Sequence, residues 1–480
     1  MITIANYING EMIPPVSGNY IDNFDPSTGK VYSLIPDSTE ADIALAVSAA
    51  QKAFPAWSGS STEFRHDVLY RISELLLQQL DALAMAESID NGKPLWLSTE
   101  VDIPRSALNF KFFATAIMQF ASESHEMPGE ALNYTLRQPL GLVGCISPWN
   151  LPLYLFTWKI APALAAGNCV IAKPSEVTPM TAYLLADICR KAGLPPGVLN
   201  IVHGYGHRTG EAIVRHPAIK AISFTGGTRT GAAIAAIAAP QFKKLSLELG
   251  GKNPVLIFAD CNYEQMLETT VRSSFRNQGQ ICLCGSRILV EKSIYDRFKS
   301  DFVNKVQALK VGDPLLQDSQ QGAVVSKQHF EKVLGYIELA LSEGGKILCG
   351  GQVVKVAGRC EDGWFIAPTV LEGLPFDCRT NQEEIFGPVV TIMPFETEEE
   401  ALLYANSVAY GLASVLWTDN LRKAQRISAK IQSGIVWINC WMLRDLRTPF
   451  GGVKDSGIGR EGGWEALRFF TETKNVTIKY

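Results

Sequence analysis

From residue 142 to residue 248 short apolar runs alternate with stretches of helical periodicity, and this alternation restricts the fold more than any other feature of the chain. Residues 142–147, 169–173, 198–202, 221–225 and 244–248 read as buried strands, and the stretches near 155–166, 180–192, 209–216 and 228–239 read as helices. Strands that are apolar on both faces need cover on both faces, and crossover helices supply it. The pattern therefore predicts an α/β protein with a parallel, doubly wound sheet whose ligands sit at the strand carboxyl ends. A second series at 255–258, 287–290, 389–393, 413–417 and 435–439, with helical stretches at 396–406 and 420–432, predicts a second α/β domain. A chain of 480 residues has room for two or three. Two helices at 39–53 and 62–86 precede both series, the first entered through Thr39-Glu40-Ala41-Asp42, a capping arrangement.

Two segments fit neither series. Residues 124–138 read as an extended hairpin around Pro128-Gly129, and 473–480 show period-2 alternation. Exposed strand edges invite pairing, so a protruding oligomerisation sheet is one reading and a frayed tail the other.

Charge and cysteine usage exclude several partners. Lys and Arg total 44 against 48 Asp and Glu, a net charge of −4 with no long block of either sign, which argues against nucleic acid. The first residues lack a basic segment followed by an apolar one, and no apolar run reaches bilayer length, so a soluble, unprocessed chain is expected. The 10 cysteines stand at no framework spacing, which fits a reducing cytoplasm. Cys282 and Cys284 lack a second Cys pair and His203 and His207 lack a third ligand, so no metal is expected.

The chemistry is carried by short motifs, most of them at predicted strand ends. Cys282 lies in Asn277-Gln278-Gly279-Gln280-Ile281-Cys282, and Glu248 ends the last strand of the first series. A thiol on a Gly/Gln-rich turn and an acid at a strand end can attack a carbonyl carbon and later hydrolyse the acyl group. Asn150, between Pro148 and Pro152, is a rigid amide donor suited to an oxyanion, or part of a plain Pro-bounded turn. Gly226-Gly227-Thr228-Arg229-Thr230-Gly231 follows a strand and opens a helix, as a pyrophosphate site would. Gly204-Tyr205-Gly206 is a second candidate, and either is also what an ordinary tight turn looks like. Lys173-Pro174-Ser175-Glu176 ends the second strand, where a lysine and a carboxylate can grip ribose hydroxyls and repel a 2′-phosphate, or simply form a solvated cap.

These motifs, with Glu383-Glu384-Ile385-Phe386-Gly387-Pro388 and Pro449-Phe450-Gly451-Gly452, closely resemble the NAD(P)-dependent aldehyde dehydrogenase superfamily in order and over essentially the whole chain. The resemblance implies the aldehyde dehydrogenase fold: a Rossmann-like NAD-binding domain (1–119 and 140–248), an α/β catalytic domain (249–448) and oligomerisation segments (120–139 and 464–480) of a homodimer or homotetramer. It makes Cys282 the nucleophile, Glu248 the base, and Asn150 with the Cys282 backbone N–H the oxyanion hole. NAD would be held by Lys173 and Glu176 at the adenosine ribose, Glu384 at the nicotinamide ribose and Phe386 beside the nicotinamide. Ser147, Trp149, Gly206, Phe224 and Thr225 would complete its site, and Gly226, Gly227 and Gly231 would belong to the helix under the pyrophosphate. Gly227 departs from the family, many members of which have a serine there. Arg276 departs too, standing where relatives often have an aromatic or small residue, and either adds positive charge for the substrate or points outward. Cys284 is read as packing or redox backup.

The substrate is expected to be an acidic aldehyde. Arg444 lies in a loop that borders the substrate tunnel in the family, and Arg105 precedes a helix-like 106–113 stretch near its mouth, with Trp158 and Phe450 as further walls. Arginine beside an apolar aldehyde is costly unless it meets a carboxylate. With Asn439-Cys440-Trp441 leading into the Arg444 loop, the chain looks like the 2-aminomuconic and 2-hydroxymuconic semialdehyde dehydrogenases of tryptophan and aromatic-ring catabolism. A neutral or aromatic aldehyde, a CoA-acylating reaction and a catalytically silent binding protein are the competing readings.

Overall fold

The computed structural model describes all 480 residues. Lys244–Glu248, Ile219–Thr225, Leu142–Ile146, Cys169–Lys173 and Leu199–Ile201 lie side by side in that spatial order, every neighbouring pair parallel. The chain starts in the middle at Leu142–Ile146, winds one way through Leu199–Ile201, and returns to wind the other way. The switch point expected of a doubly wound sheet therefore lies between Leu142–Ile146 and Ile219–Thr225. Three antiparallel strands complete the row: Asn6–Ile8 beside Leu199–Ile201, with Glu11–Ile13 at the edge beyond it, and Gly457–Ile458 beside Lys244–Glu248. The last comes from the far end of the chain and pairs Gly457 with Glu248 itself.

The second sheet orders Lys346–Cys349, Thr369–Glu372, Val389–Phe395, Gly285–Glu291, Asn253–Ile257, Ala413–Trp417 and Ile435–Ile438, parallel except for the first. The five expected strands are all present. Lys346–Cys349 and Thr369–Glu372 escaped notice because four residues are too few to show a period.

Helix Glu40–Ser58 begins with the expected box, Thr39 accepting from Ala41 N and Asp42 accepting from Thr39 N at 2.8 Å. The stretch expected as one helix over 62–86 is two, Thr62–Gln78 and Leu80–Asn91, parted at Gln79 (φ −108°, ψ 21°). Apolar residues are buried on both sides of the break, so the periodicity runs through it. The helix expected at 209–216 is a wide turn, Gly206–Gly210, followed by Glu211–Arg215. A three-stranded sheet of Ile2–Thr3, Lys30–Pro36 and Tyr20–Asp25 was not foreseen. It is tied down by Asp90, which accepts from Tyr32 Oη (2.6 Å), Asn23 Nδ2 (2.7 Å) and Met180 N (2.8 Å).

The tail is not frayed: Thr471–Lys479 pairs antiparallel along all of Ala131–Pro139, which also pairs with Ser124–Met127. This sheet stands out from the body, with Ser124–Met127 exposed throughout.

Candidate active site

Cys282 is delivered by an unusual turn. After helix Tyr263–Phe275, Asn277 and Gln278 both take φ of 54° and Gly279 takes 68°, three successive left-handed residues. Such conformations cost on the order of 1 kcal/mol or more each for a residue with a side chain, and persist only where the surroundings hold them. Here Gln278 Nε2 donates to Ala323 O at 2.8 Å, Gln280 Oε1 accepts from Val325 N at 3.1 Å, and Asn277 Nδ2 donates to Asn150 O at 3.0 Å. At Gly279 a Cβ would collide with the Gly387 carbonyl, so only glycine fits.

The turn sets Cys282 on the wall of a cavity of about 240 Å³ shared with Asn150, Glu384 and Phe386. Asn150 donates one amide N–H to Gln280 O at 2.9 Å, leaving the second for a ligand. Its carbonyl is fixed by Asn277 and by Lys93 Nζ (3.2 Å), a fully buried lysine that also meets Asp102 at 2.6 Å and Glu87 at 3.6 Å. Sequence reasoning missed this cluster.

Glu248 is 3% exposed and neither of its carboxylate oxygens has a hydrogen-bond donor. Burial, reinforced by the nearby Glu461, holds its carboxyl well above the ordinary glutamate range, while Lys159, Arg460 and Arg444 pull the other way. Lys159 is bound to Glu461 at 2.8 Å. Gly451 leaves the space Glu248 occupies, since a Cβ there would come within 2.7 Å of Oε1. The Cys282 thiol is pushed up by burial and then by Glu248 and Glu384, and Arg444 opposes them. The thiol and a free amide N–H thus line one cavity, and the unpartnered Glu248 carboxylate lies near enough to act on the thiol, a combination that can serve acyl transfer from an aldehyde carbon.

A second cavity, of about 320 Å³, opens at the switch point between Ile146, Phe224 and Gly206. Helix Thr228–Ala238 begins between it and the Cys282 cavity with no side chain capping its N-terminus, and a Cβ on Gly227 would meet nothing within 4 Å. Ser147 Oγ and Thr225 Oγ1, at the adjoining strand ends, are buried without partners. Lys173 Nζ meets Glu176 at 2.9 Å, and Glu176 Oε1 accepts from Gly206 N at 3.1 Å. Burial alone would raise the Glu176 carboxyl, but Lys173 and these hydrogen bonds more than offset it and hold it below its ordinary value. At the far end Glu384 Oε1 accepts from Gly251 N at 2.8 Å.

An apolar slot, an uncapped helix start, two orphaned hydroxyls and a carboxylate at either end fit a dinucleotide. Gly231 serves differently from its neighbours: a Cβ there would lie 2.5 Å from Leu249, so this glycine lets the helix pack closely on the chain beyond Glu248. Two residues lining the Cys282 cavity were missed, His329 and Lys332. His329 Nε2 lies 2.7 Å from the carbonyl of Phe386, a residue at φ 63°, and its ring sits 5.0 Å from that of Trp149. Lys332 Nζ donates to Glu384 O at 3.1 Å. Their helix, Lys327–Ser342, was absent from the expected series, and no motif marks it.

Arg105 and Arg444 come together on one wall. Both guanidinium groups face the Trp158 ring, at 5.7 and 5.4 Å; Arg105 also lies 5.2 Å from the Tyr154 ring and Arg444 4.0 Å from that of Phe450. Arg444 donates to Tyr154 Oη at 3.2 Å, and Arg105 Nη2 is buried without a partner. Neither forms an ion pair; Asp445, beside them, is taken by Arg447 at 2.6 Å. The two line an open cavity of about 570 Å³. Arg276 is not with them: it lies over Trp96, 5.9 Å from the ring, on the wall of a different cavity. Cys284 is buried, its Sγ 3.8 Å from the Arg276 carbonyl.

The sequence pattern of the Aldehyde dehydrogenase family matches residues 13–476. The chain is similar to 2-aminomuconic semialdehyde dehydrogenase of Mus musculus, 51% identical with 100% of this chain and 99% of the relative covered. It is 43% identical to 2-hydroxymuconic semialdehyde dehydrogenase of Pseudomonas sp. (strain CF600), with 100% of each covered. The NAD+ complex of aldehyde dehydrogenase from Bacillus cereus superposes with a TM-score of 0.97 at 36% identity, covering 99% of this chain and 96% of that one. Fold, site and full-length similarity agree: the chain belongs to the aldehyde dehydrogenase family.

Proposed function

We propose that this enzyme oxidises an aldehyde that carries a distal carboxylate, of the 2-aminomuconate or 2-hydroxymuconate semialdehyde type, to the corresponding dicarboxylate with NAD+. The observation that carries the substrate reading is the pair Arg105 and Arg444, half-buried against Trp158 without a carboxylate partner. Guanidinium groups so placed gain a charge-assisted, bidentate partner only when an acidic ligand arrives. The names of the relatives agree with this chemistry.

Each residue then has a task. Lys173 and Glu176 hold the adenosine ribose, Glu384 the nicotinamide ribose, and Trp149 and Phe386 flank the nicotinamide. Bound NAD+ supplies the hydride acceptor. Cys282 gives its proton to solvent, its thiolate Sγ bonds to the aldehyde carbon as the carbonyl π pair moves to oxygen, and the oxyanion of the thiohemiacetal accepts from the free Asn150 N–H and the Cys282 backbone N–H. Once this carbon is oxidised to the thioester level, Glu248 takes a proton from the water that attacks it, and the acid leaves as the Cys282 thiol is restored.

The test is a set of initial rates with NAD+ on aldehydes of matched length, with and without a terminal carboxylate. Arg444→Ala should lower kcat/KM for the acidic aldehyde by roughly a hundredfold while leaving the neutral one within a few-fold. Equal losses on both would refute the clamp. We further assign the protruding sheet to self-association, as a dimer or tetramer, and place the enzyme in the cytoplasm, where ten unpaired thiols are stable. No helix is long and apolar enough to cross a membrane.

A further inference from the structure

The cavity that Arg276 lines has a volume of about 400 Å³ and lies on the outer side of the turn that carries Cys282. It shares no lining residue with the cavity of Arg105 and Arg444. Arg272 and Arg276, one helical turn apart in sequence, both line it and neither forms an ion pair. Arg276 is half-buried over the Trp96 indole, which is itself anchored by its Nε1 donating to Ser319 O at 3.0 Å. The acid on this wall, Glu268, is exposed, sits 3.8 Å from Lys305 and forms no ion pair with either arginine. Asp102 and Glu100 also act on Arg276, and Asp102 is held by Lys93 at 2.6 Å.

A second observation points to a ligand. Asn277 and Gln321, 1% and 4% exposed, line the same cavity, and each carries a buried side-chain oxygen with no donor in the protein. The Asn277 amide cannot be turned round to cure this, because its Nδ2 is committed to Asn150 O at 3.0 Å and Gln280 O at 3.3 Å. Buried acceptors without donors are rare and costly, and an N–H or O–H from a bound molecule would satisfy them. Phe275 and Leu309 supply apolar walls beside Trp96. The volume falls in the range of small-molecule sites, on the order of 300–1,000 Å³.

We propose that this cavity is a second ligand site, separate from the catalytic one, for a flat, unsaturated or aromatic carboxylate carrying an amino or hydroxyl group. The carboxylate meets Arg272 and Arg276, the ring or conjugated chain lies on Trp96, and the amino or hydroxyl group donates to Asn277 Oδ1 or Gln321 Oε1. Asn277 holds Asn150 and stands at the head of the left-handed turn before Cys282, so occupation of the site is transmitted to the thiol. The proposal does not depend on what Arg105 and Arg444 bind.

The experiment uses the full-length enzyme and 3-aminobenzoate as probe, with 3-aminobenzamide as the uncharged and benzoate as the donor-free counterpart. Calorimetric titration should give saturable binding of 3-aminobenzoate, weakened roughly tenfold or more in Arg272→Ala and in Arg276→Met, and retained in Arg444→Ala. Both counterparts should bind more weakly. Circular dichroism checks that the variants are folded, and Gln321→Leu, which removes an orphaned acceptor without touching a charge, should abolish the preference for 3-aminobenzoate over benzoate. Saturating probe should change the rate at which iodoacetamide alkylates Cys282. Loss of binding in Arg444→Ala but not in Arg272→Ala or Arg276→Met would place the probe in the substrate clamp and overturn the proposal, as would failure to saturate at millimolar concentration. Saturable binding with an unchanged alkylation rate would overturn the link to Cys282.

Discussion

At the scale of single residues, Cys282 and Glu248 are set against each other before any substrate arrives. Burial, and then the carboxylates around it, push the Cys282 thiol up. It is therefore protonated at neutral pH, and because only the thiolate reacts, alkylation by iodoacetamide should accelerate with every step in pH and still be rising above about pH 9, past the ordinary cysteine range. Glu248→Gln removes one of the charges that raise the thiol, so the variant should alkylate faster than the parent in alkaline buffer; slower alkylation would mean that Glu248 assists the thiol as a base. In turnover the same variant should still release about one NADH per site in a rapid first phase and then slow by roughly a hundredfold or more, since acylation precedes the step Glu248 serves. Cys282→Ala should lose activity on the order of 10⁴-fold or more, and near-normal rates would end its assignment as nucleophile. Residues of this kind were legible because their chemistry is local: a glutamate and an asparagine each stand at a predicted strand end, and a cysteine stands on a Gly/Gln-rich turn, each in a short run with its own turn residues. Lys93, His329 and Lys332 were not, because each acts through a contact that only the fold creates, such as Lys93 on the Asn150 carbonyl 57 residues away.

At the scale of elements, the turn from Asn277 to Gly279 matters more than its length suggests. Its three left-handed residues are over-determined by side-chain amides, and Gly279 is the one position that tolerates no side chain at all. Gly279→Ala should retain the far-ultraviolet spectrum of the parent and lose roughly a hundredfold or more in kcat, because the turn must shift to clear Gly387 and carries Cys282 with it. An active Gly279→Ala enzyme would show that the turn can relax without moving the thiol. Strands of the two long series were readable to within about two residues, since continuous apolar runs leave a mark. The parting of Thr62–Gln78 from Leu80–Asn91 was not, because one non-helical residue leaves the periodicity intact. The sheet of Ile2–Thr3, Tyr20–Asp25 and Lys30–Pro36 was hidden for another reason: it is held by the buried Asp90, a residue whose partners lie in three separate segments.

At the scale of the whole molecule, the protruding sheet and the closure of the first sheet both depend on the last 25 residues. Removing residues 471–480 strips Ala131–Pro139 of its longest partner. Sedimentation should then report a smaller assembly than the full chain forms; an unchanged mass would remove this sheet from the oligomer contact. The pairing of the tail with the hairpin was not readable in advance, because nothing in two distant period-2 segments says which edge each will choose. The strand Gly457–Ile458 has the wider consequence. The edge at Lys244–Glu248 is completed by residues made more than two hundred positions later, and Lys159 finds Glu461 only then. During synthesis the first sheet therefore keeps an open edge beside Glu248, and Lys159 an unmatched charge, until residues 457–461 have emerged from the ribosome.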